Sequence, residues 1–361
     1  MNERRERIRA RLATLGADAL LVTKPVNVRY LSGYSGSNGQ LIVGGDDVFM
    51  TDGRYEEQSS HEVPDIRREI YGVSERTITE AAGMYGTLTA VAEGLNVRRL
   101  GVEAGHMTLE TARAIREAMP SLELVETLGE VEDMRVVKDE SEVASMRRAH
   151  NVADAALAAV LHQVKEGMTE IELAALLEFE MREGGSEGVS FNTIAGFGED
   201  AAEPHHNPGP RTLRRGDMIK VDFGATVDGY HSDMTRTFAF GEPSAEMVEI
   251  YELVKAANRA GLDRVRAGGA TGDVDAAARA VVRERGYDYG HGTGHGVGLE
   301  IHESPPVRQG AETVMQEGMV LTVEPGVYIS GTGGVRIEDT VVVRADGCDI
   351  LTGSTKELVI I

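Results

Sequence analysis

One cysteine, Cys348, is present in 361 residues, so no internal disulfide can form and no second thiol stands near it to build a sulfur metal site. Lysine is almost as scarce, with six against 31 arginines, and acids outnumber bases 59 to 37, a formal net charge of -22. A chain this acidic, with no basic patch, has nothing with which to neutralise a phosphate backbone or an anionic membrane surface, which excludes nucleic acid and such membranes as partners. No apolar run approaches the ~18 residues of a membrane span. The opening "MNERRERIRARLATLG" reads as a charged amphipathic helix without a signal-peptide core, and its Glu3 and Glu6 argue against a transit peptide. The cytoplasm is the expected location. What is abundant is apolar residues, 41% of the chain, enough for two packed domains.

The first part alternates helical and strand-like pieces: "RERIRARLATLG", "ALLVT", "GQLIVGG", "DVFMTD" and "TARAIREAMP". This predicts a small α/β domain. A boundary falls in "EVEDMRVVKDESEV", dividing the chain into 1–133 and 134–361. Beyond it the order is helix, helix, hairpin, then helix, helix, hairpin again. Capping boxes at Asp139/Glu142 and Thr169/Glu172 open the first two helices.

The first hairpin, "IKVDFGATVDGYHSDMTRTF", turns on Asp228-Gly229. A two-residue turn there sets Gly224 against Asp233 and puts Asp222 diagonal to Asp233 on one face. The second, "EGMVLTVEPGVYISGTGGVRIEDTVVV", repeats it: Asp222 corresponds to Glu324, Gly224 to Gly326 and Asp233 to Glu338. A turn centred on Thr332 would set Gly326 against Glu338 and Glu324 diagonal to it. A duplicated unit brings these four carboxylates together, more negative charge than a pocket can bury without a cation. The stretch "HGTGHGVGLEIHE" between the hairpins offers His291, His295 and His302 as a nitrogen donor. Four carboxylates and one histidine would hold two divalent cations, and a set so rich in oxygen suits Mn²⁺ or another hard to borderline metal.

Here the chain resembles a known family. "VDFGATVDGYHSDMTRT", "HGTGHGVGLEIHE", "TVEPGVY" and "GVRIEDT" are similar to the metal motifs of the pita-bread metallopeptidases (family M24), which include methionine aminopeptidase, aminopeptidase P and prolidase. "NVRYLSGYSGSNG" with "TDGRY" resembles the N-terminal domain of the proline-specific branch and of creatinase. The resemblance implies an α+β architecture: a pita-bread domain with a pseudo-twofold helix-helix-hairpin repeat, preceded by a smaller creatinase-like α/β domain. It implies Asp222, Asp233, His295, Glu324 and Glu338 as ligands of two divalent ions, with Mn²⁺ foremost and Co²⁺, Zn²⁺ or Fe²⁺ as alternatives, and Asp233 and Glu338 as bridges. It further implies His205, His302 and Glu324 in catalysis, His205, His291, His302 and Arg336 in substrate binding, and a homodimer acting on short proline-containing peptides.

In this reading a metal-activated water attacks the first peptide bond, His302 helps stabilise the oxyanion, and Glu324 accepts a proton as well as ligating. Aminopeptidase P is expected ahead of prolidase, because no basic motif stands out to hold a dipeptide's carboxylate and "YLSGYSGSNG" looks closer to aminopeptidase P relatives. The remoter alternatives each meet an objection. Methionine aminopeptidase lacks the extra N-terminal domain, creatinase does not keep the five ligands, and a non-catalytic peptide-binding relative would be expected to lose some of them.

Overall fold

The computed structural model describes residues 1–72 and 83–361. The chain forms two compact units, Met1–Arg135 and Val136–Ile361. In the first, short apolar runs become fully buried strands, as in "ALLV" and "VFMTD". Its sheet contains β1 (Ala19–Val22), β2 (Gln40–Val43), β3 (Val48–Asp52), β4 (Arg67–Tyr71), β5 (Arg99–Glu103) and β6 (Glu123–Thr127), in the order β4-β3-β2-β1-β5-β6. Helices α1 (Asn2–Leu15), α2 (Pro25–Ser32), α3 (Glu56–Glu62), α4 (Met84–Gly94), α5 (Leu109–Ala118) and α6 (Glu132–Arg135) complete it. α1 ends where Gly16 adopts φ 71°, a left-handed cap open to glycine at no steric cost. The core of this unit gathers Leu21, Ile42, Val48, Met50, Leu88, Leu100 and Ile115.

The second unit is the duplicated one. Its first half runs α7 (Glu140–Leu161), α8 (Glu170–Glu183), β7 (Gly188–Val189), β8 (Ile194–Phe197), β9 (Met218–Phe223), β10 (Ala225–Val227), β11 (Tyr230–His231) and β12 (Met234–Ala239). The second half runs α9 (Ala245–Leu262), α10 (Thr271–Arg283), β13 (Gly294–Gly296), β14 (Glu303–Val307), β15 (Val320–Val323), β16 (Gly326–Ile329), β17 (Gly333–Arg336), β18 (Asp339–Val343) and β19 (Cys348–Ile350). Both expected capping boxes are formed, at Asp139 and at Thr169. α7 buries Met146, Ala149, Ala153, Leu157 and Val160, one apolar stripe at helical spacing, and the last three share one core with Ile219, Val221 and Phe223 of β9. Among the described residues, no helix is long and apolar enough to cross a membrane.

The first hairpin has the expected register. Val227 pairs with Tyr230 across Asp228 (φ 52°) and Gly229 (φ 78°), and Asp222 pairs with Thr235. Both turn residues have positive φ, as a type I′ turn requires. Gly224 has no room for a side chain, since a Cβ there would lie 1.9 Å from the Ser232 carbonyl oxygen. The second hairpin differs from expectation. Ile329 pairs with Gly333, so three residues form its loop and the centre is Gly331 (φ 75°) instead of Thr332. Gly326 therefore faces Arg336, not Glu338. Glu338 lies at the break between β17 and β18, and its backbone N–H donates to Thr235 O of the first hairpin (3.1 Å).

Candidate metal centre and its cleft

The inner ends of both hairpins converge. Asp222, Asp233 and Glu338 are buried, and each offers a carboxylate oxygen within 4.8 Å of the others. His295 Nε2 lies 3.5 Å from Asp233 Oδ2 and 3.6 Å from Glu324 Oε1, which ties the two halves of the repeat together. The Nδ1 of His295 is 3.0 Å from Gly296 O. A carbonyl cannot donate, so Nδ1 carries the proton and Nε2 keeps its lone pair toward the carboxylates.

Burial works hardest against charge here. Asp233 is raised well above the ordinary carboxylate range by burial and then by Glu338, Asp222 and Glu324. Glu338 is raised by burial and then by Glu324 and Asp222. Glu324 is pushed up to about 7 by burial, with Arg336 opposing and Asp222 adding to the shift. Asp222 Oδ1 is buried with no hydrogen-bond partner. An orphaned carboxylate oxygen beside three more acids and an imidazole lone pair fits a divalent cation, and oxygen donors dominate the set.

These shifts predict a stability profile. A carboxyl whose folded pKa is raised stabilises the fold fully below its unfolded value, and loses that contribution as pH rises through the folded value. For Glu324 the window runs from the ordinary 4.5 to about 7, with Asp233 and Glu338 displaced the same way. Chelator-treated protein should therefore melt at progressively lower temperature as pH is raised across that window, and divalent metal should flatten the trend. Melting curves that rise with pH in the chelated protein would contradict the assignment.

The cleft above these acids encloses about 400 Å³ and is also lined by Phe191, Asn192, Ile194, His205, His291, Ile301, His302 and Arg336. The rings of His302 and His295 meet edge-on at 4.3 Å. Burial and then His295 lower the pKa of His302, favouring the neutral ring. His205 is exposed at the rim. His291 is more committed: Nδ1–H donates to Gly292 O (2.6 Å) and Nε2 accepts from Tyr328 Oη (2.9 Å), with burial and then Arg336 holding it neutral at about 4.

Arg336 is 2% exposed and does not pair with its sequence neighbour Glu338. It donates through Nη2 to Asp222, through Nε to Thr235 Oγ1 (2.9 Å), and through Nη1 to Pro204 O and Tyr328 Oη (both 3.0 Å).

Four supporting residues are not singled out by the sequence reading. Thr235 Oγ1 donates to Glu338 Oε2 (2.7 Å) while accepting from Arg336. His150 Nε2 accepts from the Asp233 backbone N–H (3.4 Å), and burial keeps this ring neutral, down at about 4. Lys220, fully buried, donates to Glu203 O and lies 5.2 Å over the Tyr328 ring. Tyr328 bridges His291 and Arg336. The two-residue period of a strand carried a signal for three of them, since Lys220 shares a face with Asp222, Thr235 with Asp233 and Tyr328 with Glu324. His150, on the buried face of α7, carried none.

Comparison with known proteins agrees with this architecture. The description "Metallopeptidase family M24" matches residues 144–345, and "Creatinase/Prolidase N-terminal domain" matches residues 4–137. The Xaa-Pro dipeptidase of Pyrococcus furiosus is 35% identical, over 99% of this chain and all of its own. The structure of an Xaa-Pro dipeptidase from Bacillus anthracis superposes with a TM-score of 0.94 at 37% identity, covering 99% of both chains. That of an X-Pro aminopeptidase from Thermotoga maritima gives 0.91 at 34%, covering 99% of this chain and 100% of that one. With both family descriptions matched along the chain, a relative 35% identical over 99% of it, and the same fold as a solved Xaa-Pro dipeptidase, the chain belongs to metallopeptidase family M24, with a creatinase/prolidase N-terminal domain.

Proposed function

We propose that this metallo-exopeptidase cleaves the bond between an N-terminal residue and a following proline in short peptides, with dipeptides as the favoured substrates. The observation that carries the chemistry is the buried donor set with its unpaired Asp222 oxygen. Asp222, Asp233, His295, Glu324 and Glu338 would hold two divalent cations, Mn²⁺ foremost. When bound, the cations supply Lewis acidity toward the scissile carbonyl and the attacking water.

The protein's own groups do the rest. Glu324, pushed up to about 7 by burial before any cation binds, is the proton acceptor for the attacking water. His302, held neutral by burial and close to the ligand histidine, donates to the carbonyl oxygen as negative charge develops on it. His205, exposed at the rim, positions the peptide beyond the scissile bond. Phe191, Ile194 and Ile301 supply apolar wall for a pyrrolidine ring. His291 and Arg336 act on the substrate through the shape they give the cleft, since both are largely engaged by protein partners.

The dipeptide preference rests on relatives carrying the name Xaa-Pro dipeptidase along their full length. The opposite preference, expected from the sequence, keeps one observation in its favour: the guanidinium lining the cleft is bound to Asp222, Thr235, Pro204 and Tyr328, leaving little to hold a dipeptide's carboxylate. Kinetics on Gly-Pro, Ala-Pro and Ala-Pro-Pro separate the two. The expected result is a kcat/KM for Ala-Pro at least about tenfold above that for Ala-Pro-Pro, which is about 1.4 kcal/mol of transition-state binding. The reverse order assigns aminopeptidase P, and hydrolysis of none of the three removes proline specificity.

A further inference from the structure

Outside the acid cluster, one buried charge assembly lies under the cleft rim. Glu170, in the first turn of α8, is fully buried. Its Oε1 accepts from Phe197 N (2.9 Å), and its Oε2 accepts from both His206 Nε2 and Gly209 N (2.8 Å each). The other nitrogen of His206, Nδ1, is 2.9 Å from Glu203 Oε2. Carboxylates accept and do not donate, so a ring facing one on each side carries two N–H groups and is an imidazolium. Burial opposes that charge, but bonds to Glu203 and Glu170 and the charges of Glu170 and Asp200 outweigh it and raise the pKa of His206. Arg211, whose backbone carbonyl accepts from Glu170 N (3.2 Å), has its guanidinium engaged with Glu199, Asp217 and, at 4.0 Å, Asp200. The His206 ring is thus the cation on Glu170, which without it would be a buried charge with only backbone partners.

The segment so anchored carries His205. Lys220 holds Glu203 O, Arg336 holds Pro204 O, and Glu170 holds Gly209 N, so the backbone is tied on both sides of His205, and the adjacent side chain is tied as well. We propose that His206 is a positioning residue for the reaction: its bridge between Glu170 and Glu203 sets the 203–209 loop so that the neighbouring His205 imidazole stands in the cleft. The inference rests on the role given to His205 above.

A double-mutant cycle tests it, using metal-loaded His205→Ala, His206→Ala and the double variant on Ala-Pro, with metal content and melting temperature measured alongside. Both single replacements are expected to lower kcat/KM, His206→Ala by about 10- to 100-fold as for a misplaced group, with metal content retained. The double variant should be no worse than His205→Ala, because His206 has nothing left to position. His206→Gln keeps one donor toward Glu170 and should recover part of the loss; it stands in for the alanine variant if that one does not fold. Multiplying effects in the double variant, or an unchanged kcat/KM in His206→Ala beside a reduced one in His205→Ala, would overturn the inference and leave the function intact. An unchanged kcat/KM in His205→Ala would instead overturn the role of His205, and the inference with it.

Discussion

Replacing Asp233 by asparagine is expected to lower kcat/KM on Ala-Pro by about 10³-fold or more, because a Lewis-acid contribution of several kcal/mol is lost when a cation is no longer held. Asp233 is 4% exposed, lies within 4.8 Å of Asp222 and Glu338, and is 3.5 Å from His295, so it faces donors of both hairpins. Its backbone is fixed by His150, and its carbonyl accepts from Thr340 Oγ1 (2.8 Å), so the isosteric amide has no reason to move. The effect on stability should depend on whether metal is present. In chelator-treated protein the substitution removes a group that burial and three neighbouring carboxylates hold in an unfavourable state, so the melting temperature should rise relative to the parent. In metal-loaded samples it should fall, because metal bound to the native state no longer stabilises it. Metal analysis, calorimetry with and without chelator, and steady-state kinetics check all three. Unchanged metal content in Asp233→Asn would remove the residue from the donor set.

His302→Ala carries the second large effect, an expected drop in kcat of about 10² to 10⁴ with metal content retained, as for loss of a proton-transfer or oxyanion-stabilising group. His302 follows β13 in chain order, beyond the turn that leaves His295, and its ring stacks edge-on against that histidine at 4.3 Å while facing the cleft. Its next neighbour, Glu303, is anchored by a buried ion pair to Lys138 (2.9 Å) and accepts from Glu300 N (3.1 Å), so the backbone bearing His302 has a rigid support. The alanine variant should therefore fold and bind metal while lacking the donor. Metal lost together with activity would make His302 a ligand, and near-normal kcat would make it structural.

The carboxylate pattern was legible in the sequence because its determinants are local. A two-residue Asp-Gly turn and the alternation of a strand are enough to place Asp222 beside Asp233, and duplication then repeats the acids as Glu324 and Glu338. The helix starts at Asp139 and Thr169 were legible for the same reason, since a capping box closes within four residues. The second register was not. Gly331 and Thr332 both lie in a run of small residues that allows either centre, and the choice fell to Gly331, with Glu338 N bonded to Thr235 of the other hairpin.

Side-chain partnerships across the repeat lay further beyond reach. Although Glu338 is its near neighbour in sequence, Arg336 spans 114 residues to Asp222, because β17 packs against β9 and β12 of the first hairpin. Lys220, Thr235 and Tyr328 sit on the hairpins that carry the acids, but their contacts with Glu203, Glu338 and His291, and the contact of His150 with Asp233, are made only by packing. The sequence by itself determined which residues could carry the chemistry, through short-range turns, caps and alternation. Only the tertiary structure decided which of them orient the others, because a hydrogen bond between distant segments depends on the packing of helices and sheets that no local spacing encodes.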